Sequence, residues 1–184
     1  MNILLRTARL ILSCLTLLKF KLYYGPRFQF MFSDRIAPSV KIRLNNGGSF
    51  KMGKNVCLKE NVIINCTGGR VVLKNNVFLN DMVCLNSREQ IIIGDRTVIG
   101  QATKIYDHDH DYKHNMQNDY LNSAVEIEND VWIGSDVIIL RGSHIEKKSV
   151  VGAASLVKGS VKSNHVYFNE RKEKMIEIPI PRSN

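Results

Sequence analysis

The sequence predicts an all-β chain wound as a parallel β-helix, and three observations carry that expectation. An aliphatic residue recurs every sixth position, a small or β-branched residue stands two positions ahead of it, and one long insertion interrupts the series. Forward from Ile133 the step gives Ile139, Ile145, Val151 and Val157, with Val131, Val137, Ser143, Ser149 and Ser155 as the preceding residues. Upstream it links Ile93, Ile99 and Ile105 behind Thr97 and Thr103, then Leu73, Leu79 and Leu85 behind Val71, Val77 and Val83. Met52, Leu58 and Ile64 form a weaker first set. Neither an α-helix nor a simple hairpin has a period of six. Short strands separated by turns do, when each aliphatic side chain points into a shared interior and three faces close one coil. Glycine and asparagine are expected at the corners, where positive φ is required.

Residues 1–35 are expected to form a helix and linker. The stretch ILLRTARLILSCLTLLKFKL at residues 3–22 is leucine-rich with early arginines and late lysines, and no acidic residue precedes Asp34. Its longest uncharged run, Leu10 to Leu18, is nine residues, too short to span a bilayer. Two readings stand: a basic amphipathic helix lying on the inner face of the cytoplasmic membrane, or a helix packed on its own domain or on a sister subunit. A length of 184 residues suits one domain, and the net charge of +9 suits an anionic surface or phosphate-bearing small molecules. No nucleic-acid motif is present, and the aromatics are not interleaved with the basic residues, which argues against a nucleic-acid partner. Cys14, Cys57, Cys66 and Cys84 show no CxxC spacing and read as reduced thiols of a cytoplasmic protein.

The β-helix is expected over residues 36–165, with a tail at 166–184. Ile105 and Ile127 belong to the same interior series but lie 22 positions apart, so sixteen residues are extruded between them. This loop, placed at 106–124, begins with DHDHDYKHN, and an ejected loop on a tight solenoid is where function concentrates.

The run VEIENDVWIGSDVIILRGSHIEKKSVVGAASLV resembles the hexapeptide-repeat acyltransferases, most of all the bacterial capsule and O-antigen O-acetyltransferases, and also the galactoside, maltose and serine acetyltransferases. The likeness extends over about residues 45–165. It implies a left-handed coil, a homotrimer with active sites between subunits, acetyl-CoA as co-substrate and a sugar hydroxyl as acceptor. Serine acetyltransferases carry a long helical N-terminal domain that this chain lacks.

The family places its catalytic histidine 24 residues before the tryptophan of VWIG, which here is His108. A histidine titrates near working pH, so it can take the hydroxyl proton and return it to the departing thiolate. His110 and Asp107 are expected at the acceptor, with Asp107, Asp109 and Asp111 as a solvated or sugar-binding edge. In galactoside-type members an asparagine fourteen residues before the glycine of a later IGD contacts the acceptor, which points to Asn80, with Asp81 a weaker candidate. The resemblance assigns the donor to Trp132, to Gly134 and Ser135 with amides that can polarise the thioester, and to Ala153. Lys158, Arg171 and Lys172 are expected at the coenzyme A phosphates. The chain departs from the family after residue 158: KGSVKSNHVYFNERKEK lacks the proline and Gly-Asn-Pro-Ala segments, which weakens the assignments beyond that point. His108, His110 and His114 also spell a zinc-like H-x-H-x3-H, but no metal is expected, because β-helix metalloenzymes draw their histidines from separate coils. The rival readings are an acetyltransferase for an amino sugar, antibiotic or serine, a silent scaffold, and a metal-dependent hydratase.

Overall fold

The computed structural model describes residues 3–170, 172 and 175. One helix, α1 (Ile3–Tyr24), precedes three parallel sheets of seven, seven and six strands, in which each strand pairs with its counterparts in the neighbouring coils. Six full coils and part of a seventh result. The aliphatic series line the interior as continuous columns: Met52, Leu73, Ile93, Ile127, Ile145 and Val161 on the first sheet, Leu58, Leu79, Ile99, Ile133 and Val151 on the second, and Ile64, Leu85, Ile105, Ile139 and Val157 on the third. All are buried. The corner positions behind them alternate along the axis, from Val77 and Val83 through Thr97 and Thr103 to Val131 and Val137, and then to Ser143, Ser149 and Ser155. The hydroxyls of Thr97, Thr103, Ser143 and Ser149 find carbonyl partners, as Thr103 Oγ1 does by donating to Gly134 O at 3.0 Å, and no buried side-chain polar atom among the described residues is left unsatisfied.

The backbone bonds run in two directions. On the faces a strand amide donates to the next coil, as Cys57 N does to Val77 O at 2.9 Å. At the corners one residue takes the left-handed conformation, and its amide turns back to the preceding coil: Asn76 N to Lys54 O, Arg96 N to Asn75 O and Ala102 N to Asp81 O. Met82, Asp130, Asp136, Lys148 and Ala154 do the same. Glycine and asparagine therefore do not own these corners. The reversed bond offsets the cost of about 1–2 kcal/mol that a side chain incurs at positive φ.

The solenoid starts at Phe28, inside the stretch expected as linker. Phe28–Gln29, Arg35–Ile36 and Lys41–Asn45 form a complete first coil, and Val166–Tyr167 extends the second sheet into the expected tail. The first coil has no coil beneath it, and α1 takes that place. Ser13 Oγ accepts from Ile36 N at 2.8 Å, Lys21 Nζ donates to Phe28 O, Tyr24 Oη to Ile42 O and Arg27 to Leu44 O, so all three sheets are capped. Leu17 is buried against this end, with Phe20 and Tyr24 packed beside it. The opposite helix face, Ile11, Leu15, Leu18 and Leu22, points outward and is apolar. Both readings of the helix thus keep a physical basis: one face packs on its own domain, and the other remains for a surface. No described helix is long and apolar enough to cross a membrane.

Candidate active site

The insertion leaves the fourth coil after the strand Lys104–Tyr106 and rejoins the stack before Val125–Ile127. It is an antiparallel hairpin, His108–His110 against Tyr120–Asn122, with His108 opposite Asn122 and His110 opposite Tyr120. Its base is closed by Ser123 N donating to Asp107 O at 2.8 Å. Arg141 Nε holds its flank through Asp109 Oδ2 at 2.6 Å.

Asp107 departs most from expectation. It is not a solvated or sugar-binding edge but a fully buried carboxylate at the hairpin root. Its two oxygens accept from Ser87 Oγ at 2.7 Å, Arg88 N at 2.8 Å, Glu89 N at 2.9 Å and His108 Nδ1 at 2.9 Å. Burial alone would raise its pKa; the donors from His108, Arg88, Ser87 and Glu89 outweigh burial and hold it below the ordinary carboxylate value. With Asp107 ionised, the proton on the His108 ring sits at Nδ1 and the lone pair at Nε2. His108 is largely buried, and its ring meets the edges of Tyr106 and Tyr120, at centroid distances of 6.4 and 5.6 Å.

A cleft of about 150 Å³ opens beside it, lined by Asn65, Thr67, Asn86, Ser87, Arg88, His108, His110 and Tyr120. His110 reaches this cleft, its Nδ1 donating to Met116 O at 2.6 Å. His114 turns instead to Asp111 Oδ2, and among the described residues no three histidine, cysteine or carboxylate groups are placed to hold a metal. Asn80 and Asp81 lie elsewhere in the chain, at the corner between the second and third sheets, whereas His108 stands where the third sheet gives way to the first. There Asn80 Oδ1 accepts from Asp81 N, and Asp81 Oδ1 from Glu60 N, as corner turns do. Arg88, Tyr120, Asn65 and Asn86 were not foreseen. The two asparagines sit 21 residues apart in one outward column, a spacing that in retrospect marks them as neighbours.

The donor-side residues are further along the axis. Trp132 projects outward and is 59% exposed, in a column with Val98, Val150 and Val166. Gly134 is explained by the stack: a Cβ there would lie 2.6 Å from Ala153 N, and its amide already donates to Val151 O at 2.8 Å. That amide is not available to a thioester, which corrects the expectation for Gly134. Ser135 gives its carbonyl to Ala154 N. Ala153, Lys158 and Lys172 are exposed, and Arg171 lies outside the described residues. The four cysteines are free, and burial pushes the Cys66 thiol up to about 12 and raises that of Cys84, so neither is a ready thiolate.

A three-sheet β-helix with a histidine-bearing hairpin ejected from one corner is the architecture of a hexapeptide-repeat acetyltransferase. The crystal structure of such an acetyltransferase from Vibrio cholerae O1, complexed with acetyl coenzyme A, superposes with a TM-score of 0.58 at 29% identity over 64% of each chain. No protein-family model matches the chain. It is 35% identical over 135 residues to WbbJ, an O-acetyl transferase of lipopolysaccharide biosynthesis in Escherichia coli K12, over 67% of this chain and 69% of that one. It is 29% identical over 120 residues to the galactoside O-acetyltransferase of Lactococcus lactis IL1403, of which it spans 58%. The chain belongs to the hexapeptide-repeat O-acetyltransferases.

Asp107→Asn places an amide where the corner offers only donors, so stability at neutral pH should fall by about 1–3 kcal/mol. The wild-type carboxyl titrates lower in the fold than in the unfolded chain. Its contribution is therefore present above the unfolded value of about 3.9 and lost as pH falls through the folded one. Urea unfolding across pH should show the gap between the two proteins closing in acid; a gap that does not change with pH would contradict this role.

Proposed function

We propose that this chain transfers an acetyl group from acetyl-CoA to a sugar hydroxyl during assembly of a capsule, O-antigen or exopolysaccharide, at the cytoplasmic face of the membrane. The observation that carries the reading is the His108 ring, fixed through Nδ1 by buried Asp107 and presenting Nε2 at a cleft of amide and hydroxyl groups. Acetyl-CoA supplies an activated acetyl thioester. As the acceptor oxygen forms its bond to the acetyl carbon, Nε2 takes the hydroxyl proton; as the carbon–sulfur bond breaks, the same proton passes to the leaving thiolate. Transfer is direct, and the Cys66 and Cys84 thiols, held protonated by burial, offer no ready nucleophile. His110, Asn86 and Asn65 can donate to and accept from sugar hydroxyls. Trp132, with Ser135 and Ala153 beside it in the stack, offers a surface for the pantetheine arm, and Lys158 and Lys172 are exposed cations for the phosphates.

The active unit is a homotrimer. Outward columns carrying Val98, Trp132 and Val166 on the second sheet, and Ile138 and Leu156 on the third, leave apolar area on two adjacent faces, as a three-fold interface needs. Asn80 and Asp81, remote from His108 in one chain, would reach an acceptor only across such an interface. The outer stripe of α1 is flanked by Lys19 in a helix without acidic residues, which favours contact with an anionic membrane surface.

Thermal denaturation with acetyl-CoA well above its dissociation constant should stabilise both the wild type and His108→Ala, by about 2.7 kcal/mol at a hundredfold excess. Acetyl transfer should fall by about 10²–10⁴ in the variant alone. No stabilisation of either protein at millimolar acetyl-CoA would sink the donor assignment. Sedimentation equilibrium should return three times the chain mass of 20.9 kDa; a monomer at micromolar concentration would refute the shared site. Flotation with vesicles containing anionic lipid should carry the wild type upward but not a Leu15→Ser, Leu18→Ser variant, and equal flotation of both would remove α1 as the contact.

A further inference from the structure

The Arg88 side chain is not consumed by the fold. Its guanidinium lies over the Tyr120 ring, 3.3 Å from the centroid, and has no ion-pair partner among the described residues. The stacking fixes the plane of the group and leaves its edge N–H donors without protein acceptors. Some donors of the cleft are already engaged within the fold. Asn65 Nδ2 donates to Asn86 Oδ1 at 3.0 Å, Asn86 Nδ2 to Cys84 Sγ at 3.2 Å, and Ser87 Oγ to Asp107. The buried carboxylate Asp107 accepts from the amide of Arg88 and not from its guanidinium. A second guanidinium, on Arg43, closes the far end of the asparagine column at 3.5 Å from Asn65 Oδ1.

One carboxylate sets the relation between this cation and the base. Asp107 binds the Arg88 amide at 2.8 Å through the same oxygen, Oδ1, that holds His108 Nδ1 at 2.9 Å. The backbone carrying the cation and the ring carrying the base therefore move as one piece. We infer that the acceptor is an acidic sugar, whose carboxylate or phosphate group is held by Arg88 while a hydroxyl of the same residue is presented to His108. A planar guanidinium suits either anion, since both offer paired oxygens. The inference rests on the acetyltransferase reading for the role of His108, but not for the binding of the anion.

The test is therefore a binding measurement, made on the full chain by saturation-transfer NMR at constant ionic strength. Methyl glucuronide, glucose 1-phosphate and methyl glucoside are titrated into the wild type, Arg88→Gln and Arg88→Lys. A charged hydrogen bond should favour an anionic sugar over the neutral one by about tenfold or more in the wild type. The preference should disappear in Arg88→Gln and return in part in Arg88→Lys. Which anionic sugar binds distinguishes a uronic acid from a phosphosugar. Equal binding of all three sugars, no binding of either anion, or a preference that survives Arg88→Gln would each overturn the inference. Stabilisation by acetyl-CoA in the same samples reports separately on the acetyltransferase reading.

Discussion

The bond between one coil and the next is what the rest of this molecule is built on. A single coil buries little and satisfies few of its own backbone groups; it becomes stable only when the coils above and below pair with its N–H and C=O groups. The faces donate forward and the left-handed corners donate backward, so each coil is bonded from both directions by its neighbour. An end coil is then a problem, because half of its polar groups have no partner. The N-terminal segment solves it with four side chains, Ser13, Lys21 and Tyr24 of the helix and Arg27 of the turn after it, set on the first coil's exposed amide and carbonyl groups. The apolar face beneath the helix belongs to the cap, and the outward face is left to other work.

The site uses the same principle at a corner. Between the third and fourth coils the corner 87–89 presents a hydroxyl and two amides, and Asp107 of the following coil sits on all three. Another acceptor position on that carboxylate is taken by the Nδ1–H of His108. The orientation of the His108 ring is thereby tied to the ordinary stacking of coils, and no additional scaffold is needed. A histidine on a long exposed loop would otherwise lose orientation to side-chain entropy.

The interior was legible because period six maps directly onto inward-facing positions, and every aliphatic step from Met52 to Val157 is buried. The first coil was not read, although Phe28 pairs with Phe50 and Phe30 therefore stands level with Met52, six residues before Ile36 and twelve before Ile42; a phenylalanine in place of the first aliphatic residue hid the step. Corner chemistry was read only in part: asparagine carries a mechanism for positive φ, whereas Met82, Arg96 and Lys148 are held there by an inter-coil bond that no local pattern announces. His108 was found by resemblance. The burial of Asp107 could not be read, since its partners lie 18 to 20 positions earlier and meet it only through coil pairing. Arg88 and Tyr120 likewise come together only once the hairpin folds back. Gly134 has a local cause in the contact with Ala153 that a missing Cβ permits.

The hairpin enters and leaves without shifting the stack. Ile91 pairs with Val71 below and Val125 above, steps of 20 and 34 residues, and the interior columns pass through unbroken. Lengthening that one connection costs on the order of 0.5 kcal/mol in closure entropy, a small fraction of what the coils contribute. The stacking of the solenoid is therefore independent of the hairpin. Hairpins of other lengths and compositions can be fitted to the same root, since this is a part of the sequence that the solenoid does not need in order to fold.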